Sequence, residues 1–219
     1  MAYRAVLYDM DGTVLDTLED MADSVNESLS RFGLPPVTLD KVRRSVGNGA
    51  RKLIFRVVPE GTDPALTERV LAFYKPWYDA HCNEKTRPYA GVPELMARLR
   101  DRGIAQAIIS NKPDPAVQEL ARAFFPGLLE TAVGESAAVR TKPNPDAILA
   151  AVKQMGVPLE QCVYVGDSEV DVEAARNAGL DCISVSWGFR SVEQLLAAGA
   201  ARIVSDPAGL EAAIGDGRI

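Results

Sequence analysis

The sequence predicts an α/β protein built on a doubly wound parallel sheet, with helices on both faces and an all-helical insertion near its start. Short β-branched runs alternate with stretches of helical periodicity over most of the chain, the texture of a parallel sheet wound with helices. One segment, from about residue 15 to 87, has helical periodicity and no convincing strand. Polar residues cluster just after the runs, where open parallel sheets bind their ligands. The chain therefore divides into a sheet domain of residues 1–14 and 88–219 and a helical cap of residues 15–87.

The first strand is expected at Ala5 to Tyr8. Beyond it Leu15, Leu18, Met21, Ala22, Val25, Leu29 and Phe32 recur at three and four residues, and Gly33 with Pro35-Pro36 stops that helix. Further cap helices are expected over Leu39 to Val46, Ala50 to Val58 and from Pro64 towards His81, with Pro76 kinking or breaking the last. Strands then follow at Ile104 to Ile109, Thr131 to Val133, Cys162 to Val165, Cys182 to Val185 and Arg202 to Val204. Helices over Pro93 to Arg102, Pro115 to Phe125, Pro145 to Met155, Val170 to Ala178, Val192 to Ala198 and Pro207 to Ile214 separate or follow them. Ser191 with Gln194 reads as a capping box, and Gly103, Gly156 and Gly179 fall just past helix ends.

Composition excludes several classes. The 219 residues carry 24 Lys+Arg against 30 Asp+Glu, a net charge of -6, which argues against nucleic acid, because phosphate backbones are bound by clustered cations. No run reaches the ~18 apolar residues of a membrane span. Cys82, Cys162 and Cys182 are odd in number and widely spaced, so neither a disulfide framework nor a zinc ribbon is expected, and the cytoplasm is the expected compartment. His81 is the only histidine, which rules out chemistry needing two.

The strand ends supply the chemistry. Asp9-Met10-Asp11-Gly12-Thr13 follows the first strand, Ser110-Asn111-Lys112 the second, Lys142-Pro143 precedes a helix, and Gly166-Asp167-Ser168 with Asp171 closes the strand at Cys162. Carboxylates so crowded repel by about 4 kcal/mol per pair at ~4 Å and an effective dielectric near ~20. A hard cation with oxygen ligands relieves this, and Mg2+ fits. Asp9 and Asp167 are the expected side-chain ligands, Asp11 a backbone-carbonyl ligand, and Asp171 the group orienting metal-bound waters. Ser110, Asn111 and Lys142 are expected to bind phosphate. Two carboxylates two residues apart also suit covalent phosphoryl transfer: Asp9 attacks phosphorus, and Asp11 protonates the departing alcohol and then activates water. Lys142 takes part by fixing charge.

These four segments, in this order and spacing, resemble the motifs of the haloacid dehalogenase-like hydrolases over essentially the whole chain. The resemblance implies a Rossmann-like core, a C1-type cap, Mg2+ dependence and an aspartyl-phosphate route. An Asp at position 11 marks the phosphatase branch, since the family's dehalogenases and phosphonate hydrolases lack it. Val46-Gly47-Asn48-Gly49-Ala50 resembles the loop of phosphoglycolate phosphatases, and Leu15-Asp16-Thr17 their hinge. That resemblance implies 2-phosphoglycolate as substrate, a small phosphorylated metabolite, with Gly47, Asn48, Gly49 and Arg51 selecting it. Lys52, Arg43 and Arg44 are further candidate cations. The enzyme is expected to act as a monomer or homodimer.

Several rival functions share parts of this pattern. Sugar-phosphate phosphatases and pyrophosphatases share most of the motifs. The C1-capped phosphomutases carry a His where this chain has Met21, which disfavours a mutase. A non-catalytic binding module would have lost a nucleophile, acid or metal ligand, and a response-regulator receiver has no place for the cap. His81, on the stripe Leu66, Val70, Phe73, Trp77, His81, reads as a partly buried helix residue. Trp187-Gly188-Phe189 reads as rim packing, and the cysteines as small core hydrophobes.

Overall fold

The structure, a computed structural model, describes residues 3–137 and 139–217. Six parallel strands form one sheet: β1 (Ala5–Tyr8), β4 (Ala105–Pro113), β5 (Thr131–Glu135), β6 (Cys162–Gly166), β7 (Asp181–Val185) and β8 (Arg202–Val204), in the order β5-β4-β1-β6-β7-β8. All six expected strands are present.

Alternation along each central strand divides the residues between two cores, as a side-chain period of two requires. Val6, Tyr8, Ile108, Val163 and Val165 face one core, with α5 (Val92–Asp101), α6 (Asp114–Phe124) and α10 (Pro207–Asp216). Ala5, Leu7, Ala107, Ile109, Cys162 and Tyr164 face the other, with α7 (Asp146–Met155) and α8 (Glu169–Ala178). A short helix α9 (Val192–Ala197) carries the Ser191/Gln194 capping box, and Gly156 and Gly179 end α7 and α8 in the left-handed conformation. The chain runs from β1 outward to β4 and β5, then crosses to β6 on the other side. That reversal opens a crevice at the carboxyl end of β1.

Between β1 and α5 lie α1 (Leu18–Arg31), α2 (Leu39–Ser45), α3 (Gly49–Val57) and α4 (Pro64–His81). Their buried side chains, among them Val25, Leu29, Val42, Ile54 and Val70, belong to the same apolar cluster as one face of the sheet. Three details depart from the sequence expectation. A two-residue antiparallel ladder, β2 (Leu15–Asp16) with β3 (Arg87–Pro88), carries the chain out and back, so Leu15 opens a strand and the helix starts at Leu18. A ladder this short leaves no readable alternation.

Pro76 lies inside α4, which continues to His81. The buried face of α4 is Thr67, Val70, Leu71, Tyr74 and Tyr78, displaced from the expected stripe. Phe73, Trp77 and His81 stack along the flank instead, with Trp77 and His81 centroids 4.2 Å apart. Asp20, buried on α1, accepts from the backbone N–H groups of Glu84, Lys85 and Thr86 at 2.8 to 3.1 Å. It ties the first cap helix to the returning strand.

Candidate active site

Asp9 stands at the end of β1, its backbone N–H still in register with Val165. Asp167 lies just beyond β6, and Asp171 in the first turn of α8. The three carboxylates are buried and offer oxygens within 4.8 Å of one another. Lys142 Nζ lies 2.8 Å from Asp9 Oδ1 and 2.8 Å from Asp171 Oδ1, and donates to Tyr164 OH at 2.9 Å. Its three hydrogens are thereby placed.

Three carboxylates against one ammonium leave two negative charges in a buried crevice. Burial first, then the nearby Asp171 charge, push Asp9 up to about 7 against the pull of Lys142. The same two causes hold Asp167 well above the usual carboxylate range. Burial would depress Lys142, yet Asp171 and Asp9 outweigh it and hold the ammonium charged. An all-oxygen donor set with this charge excess fits a divalent cation such as Mg2+.

The chain anchors all three carboxylates, and Asp9 keeps one oxygen open. Asp9 Oδ1 accepts from the backbone N–H of Met10 at 2.7 Å, while Oδ2 has no partner among the described residues and Asp9 lines the cavity. Asp167 Oδ2 accepts from the Phe189 N–H at 2.6 Å. Asp171 Oδ2 accepts from Ser168 N at 3.1 Å and Ser168 Oγ at 2.6 Å, a helix-capping arrangement. Both Asp171 oxygens are thus held by the chain. Gly12 makes the turn out of β1 at φ 83°, and a Cβ there would sit 2.3 Å from Asp167 Oδ2. Only glycine lets Asp167 approach.

Asp11 is placed apart from this triad. Its Oδ1 accepts from Thr17 Oγ1 at 2.7 Å and pairs with Lys112 Nζ at 2.8 Å. Ser110 Oγ accepts from the Lys112 N–H at 3.2 Å and lines the cavity. Asn111 braces the site: it donates to the carbonyls of Gly47 and Lys142, both at 3.0 Å, and accepts from Lys142 N at 2.7 Å. Asn111 lines the cavity along with Ser110 and Lys112, but its side-chain bonds all go to backbone.

The cavity of ≈ 50 Å3 lies between the strand ends and the helical insertion. Gly47 and Gly49 line it, and Asn48 and Arg51 do not. Asn48 accepts from Arg56 at 2.7 Å, while Arg51 pairs with Glu68 and lies over the Phe55 ring, 4.6 Å from its centroid. Arg44 is paired with Asp40 on the surface. Helix periodicity turns these cations outward.

The cap wall consists instead of Met21, Val46, Ala50, Leu53, Tyr74 and Tyr78. The cations that line the cavity are Lys112 and Arg190. Arg190 is buried; it pairs with Glu169 at 2.8 Å and donates to the carbonyls of Arg43 and Val46 at 3.1 and 2.9 Å. Tyr74, Tyr78 and Arg190 escape a motif reading. Lys112 follows Ser110-Asn111 directly, and that adjacency is the one signal that points to it.

This is a hydrolase site at the switch point of a parallel sheet, and the chain belongs to the haloacid dehalogenase-like hydrolases, whose family model matches residues 6–185. Phosphoglycolate phosphatase of Pseudomonas putida is 34% identical over 209 residues, covering 93% of this chain and 76% of the relative. N-acetylmuramic acid 6-phosphate phosphatase of Pseudomonas aeruginosa is 33% identical over 193 residues, 86% of this chain and 84% of the relative. A crystal structure of a candidate phosphoglycolate phosphatase from Lactobacillus delbrueckii superposes with a TM-score of 0.93 at 38% identity, covering 98% of this chain and 99% of that one. The chain is a phosphatase of this family. Among the described residues, no helix is long and apolar enough to cross a membrane.

Proposed function

We propose that the protein is an Mg2+-dependent phosphomonoesterase that works through an aspartyl phosphate on Asp9, with 2-phosphoglycolate as its substrate. One observation carries this reading: three buried carboxylates gathered at the end of β1, two of them paired with a single ammonium, and Asp11 set apart on Lys112. Residues 1–14 and 88–219 form the catalytic core, and residues 15–87 form a cap that closes over it. Asp9, Asp167 and the Asp11 carbonyl would hold Mg2+, and Asp171 would orient its waters while fixing Lys142. The ion supplies the positive charge that lets an anionic nucleophile approach a phosphate dianion.

Asp9 Oδ2 attacks phosphorus, and the bond from phosphorus to the ester oxygen breaks. Asp11 gives its proton to that oxygen. The resulting Asp11 carboxylate removes a proton from water, whose oxygen attacks the aspartyl phosphate, breaks its phosphorus–oxygen bond and restores Asp9. Ser110 and backbone N–H groups near Asp11 hold the non-bridging oxygens.

The substrate assignment draws on the relatives and on the cavity. The two relatives named above act on phosphorylated carboxylic acids. The apolar cap wall of Met21, Val46 and Leu53 offers no partners to the hydroxyls of a sugar ring, which favours the smaller acid. Met21 supports hydrolysis over phosphoryl return to a sugar, since an apolar side chain lines the cavity there. The three free cysteines suit a reducing cytoplasm.

The test is phosphate release with Mg2+ from 2-phosphoglycolate, N-acetylmuramic acid 6-phosphate, hexose phosphates, nucleotides and pyrophosphate, with Asp9→Asn as the blank. A kcat/KM for 2-phosphoglycolate at least ~100-fold above the others is the expected result. A flat profile discards the substrate and keeps the phosphatase. Robust turnover by Asp9→Asn discards the aspartyl-phosphate route.

A further inference from the structure

The hydrogen-bond inventory of the cavity's cap side is incomplete. Tyr74 is 2% exposed and lines the cavity, and its hydroxyl meets no partner among the described residues. Tyr78, 1% exposed, accepts from Lys112 Nζ, and its own hydroxyl hydrogen has no acceptor among the described residues. Lys112, 5% exposed, spends two hydrogens on Asp11 and Tyr78, so its third is also unassigned. Three donor hydrogens thus belong to residues that line one cavity, and none has a protein acceptor among the described residues. Donors that line a cavity are satisfied there by water or by a bound ligand.

The tyrosines stand one helical turn apart on α4, with ring centroids 5.5 Å apart and planes within 6°. Lys112 Nζ lies 4.4 Å from the Tyr78 ring centroid. Burial, and the neighbouring tyrosine, push Tyr74 well above the ordinary phenol range, and burial with the Asp11 charge does so for Tyr78. Both are therefore neutral donors near neutral pH. The walls beside them, Met21, Val46 and Leu53, are apolar and offer no competing polar group.

We infer that Tyr74, Tyr78 and Lys112 form the subsite that reads the leaving group of the substrate, and that the chemistry they read is a carboxylate. A carboxylate accepts several hydrogen bonds and donates none, so it can take the free hydrogens of both tyrosines and of Lys112 at once. The inference rests on the proposed phosphomonoesterase reading and moves leaving-group recognition from the exposed Arg51 to α4 and the end of β4. A leaving group ending in a hydroxyl satisfies fewer of these donors and lacks charge complementarity with Lys112.

The experiment compares two substrates of nearly equal size, 2-phosphoglycolate and 2-hydroxyethyl phosphate, in the wild-type chain and in Tyr74→Phe and Tyr78→Phe. Removal of one hydroxyl is expected to lower the ratio of kcat/KM for the acid over the alcohol by ~10-fold or more, with the loss in KM. Direct binding of glycolate is expected to weaken by a similar factor, a readout independent of turnover. Thermal melting confirms that the isosteric variants fold. A smaller change of ratio in both variants overturns the inference and leaves the phosphatase standing. The absence of Mg2+-dependent hydrolysis of any phosphomonoester by the wild-type chain overturns the underlying reading and this inference with it.

Discussion

Arg190 Nη2 donates to the carbonyl of Val46 at 2.9 Å, and the same guanidinium reaches the carbonyl of Arg43 at 3.1 Å. A side chain rooted beyond β7 therefore holds the loop between α2 and α3 against the strand ends. Glu169 fixes the guanidinium from behind at 2.8 Å. Arg190→Ala removes two bonds to backbone that are otherwise unmatched, at about 1–3 kcal/mol, and frees the loop that carries Gly47 and Gly49. Trypsin cleavage after Arg43 or Arg44 is expected to speed up by ~5-fold or more, in proportion to local opening. KM should rise more than kcat falls. Unchanged proteolysis and unchanged KM would show that the latch contributes nothing to closure.

Asp11 is held away from the triad by Thr17 and Lys112, which suits a group that serves the leaving oxygen. Its value as an acid depends on how basic that oxygen becomes. Asp11→Asn is expected to cost ~100-fold or more on alkyl phosphates and much less on p-nitrophenyl phosphate, whose phenolate leaves unaided. Equal losses on both would remove its role as general acid. Steady-state kcat/KM on the two substrate types decides the matter.

The sheet was legible because each central strand alternates between two cores: Ala5 and Leu7 face one, Val6 and Tyr8 the other. The positions of Asp9, Ser110, Lys142, Asp167 and Asp171 were legible for a related reason, since a switch point gathers whatever follows the strands. The cap's contribution was not. Tyr74 and Tyr78 lie one residue off the stripe that periodicity suggests, and an aromatic pair at helical spacing reads as core from sequence. Arg190 acquires its role only when the chain brings it against residues 43 and 46, far away in sequence. Arg51, chosen for its charge beside a glycine loop, falls on the outer face of α3 and finds Glu68.

The buried carboxylates also predict how stability answers to pH and metal. Asp9 is raised to about 7, by burial first and by Asp171 next, and Asp167 is raised as well. A carboxyl whose pKa is higher in the folded than in the unfolded chain keeps more protons when folded. Its stabilisation is complete below the unfolded value and is lost as pH climbs through the folded one. In EDTA, Tm is therefore expected to fall between pH 5 and pH 8. Mg2+ binds the ionised form, so the rise in Tm on adding it should be larger at pH 8 than at pH 5, by several degrees (~3 to 5 °C). Calorimetry at the two pH values, with and without Mg2+, checks this. A larger Mg2+ effect at pH 5 would contradict the placement of the ion among these carboxylates.

Gly188 gives the sharpest test of how the site is supported. A Cβ at this position would lie 2.4 Å from Asp167 Oδ2, 2.4 Å from Asp167 Cβ and 2.4 Å from the Gly12 carbonyl oxygen. Backbone on one side and a buried carboxylate on the other leave nowhere to yield, so Gly188→Ala must displace Asp167 or the turn at Gly12. The expected cost is about 1–3 kcal/mol of stability, together with a ~10-fold or greater rise in the Mg2+ concentration that half-saturates activity. Gly209→Ala on α10 serves as the control, because its nearest neighbour would be Asp206 Oδ1 at an ordinary 3.6 Å. Melting curves and Mg2+ titrations of the two variants separate a local effect on the site from a general intolerance of alanine. If Gly188→Ala titrates like Gly209→Ala, then the close approach of Gly188 to Asp167 has no part in holding the metal.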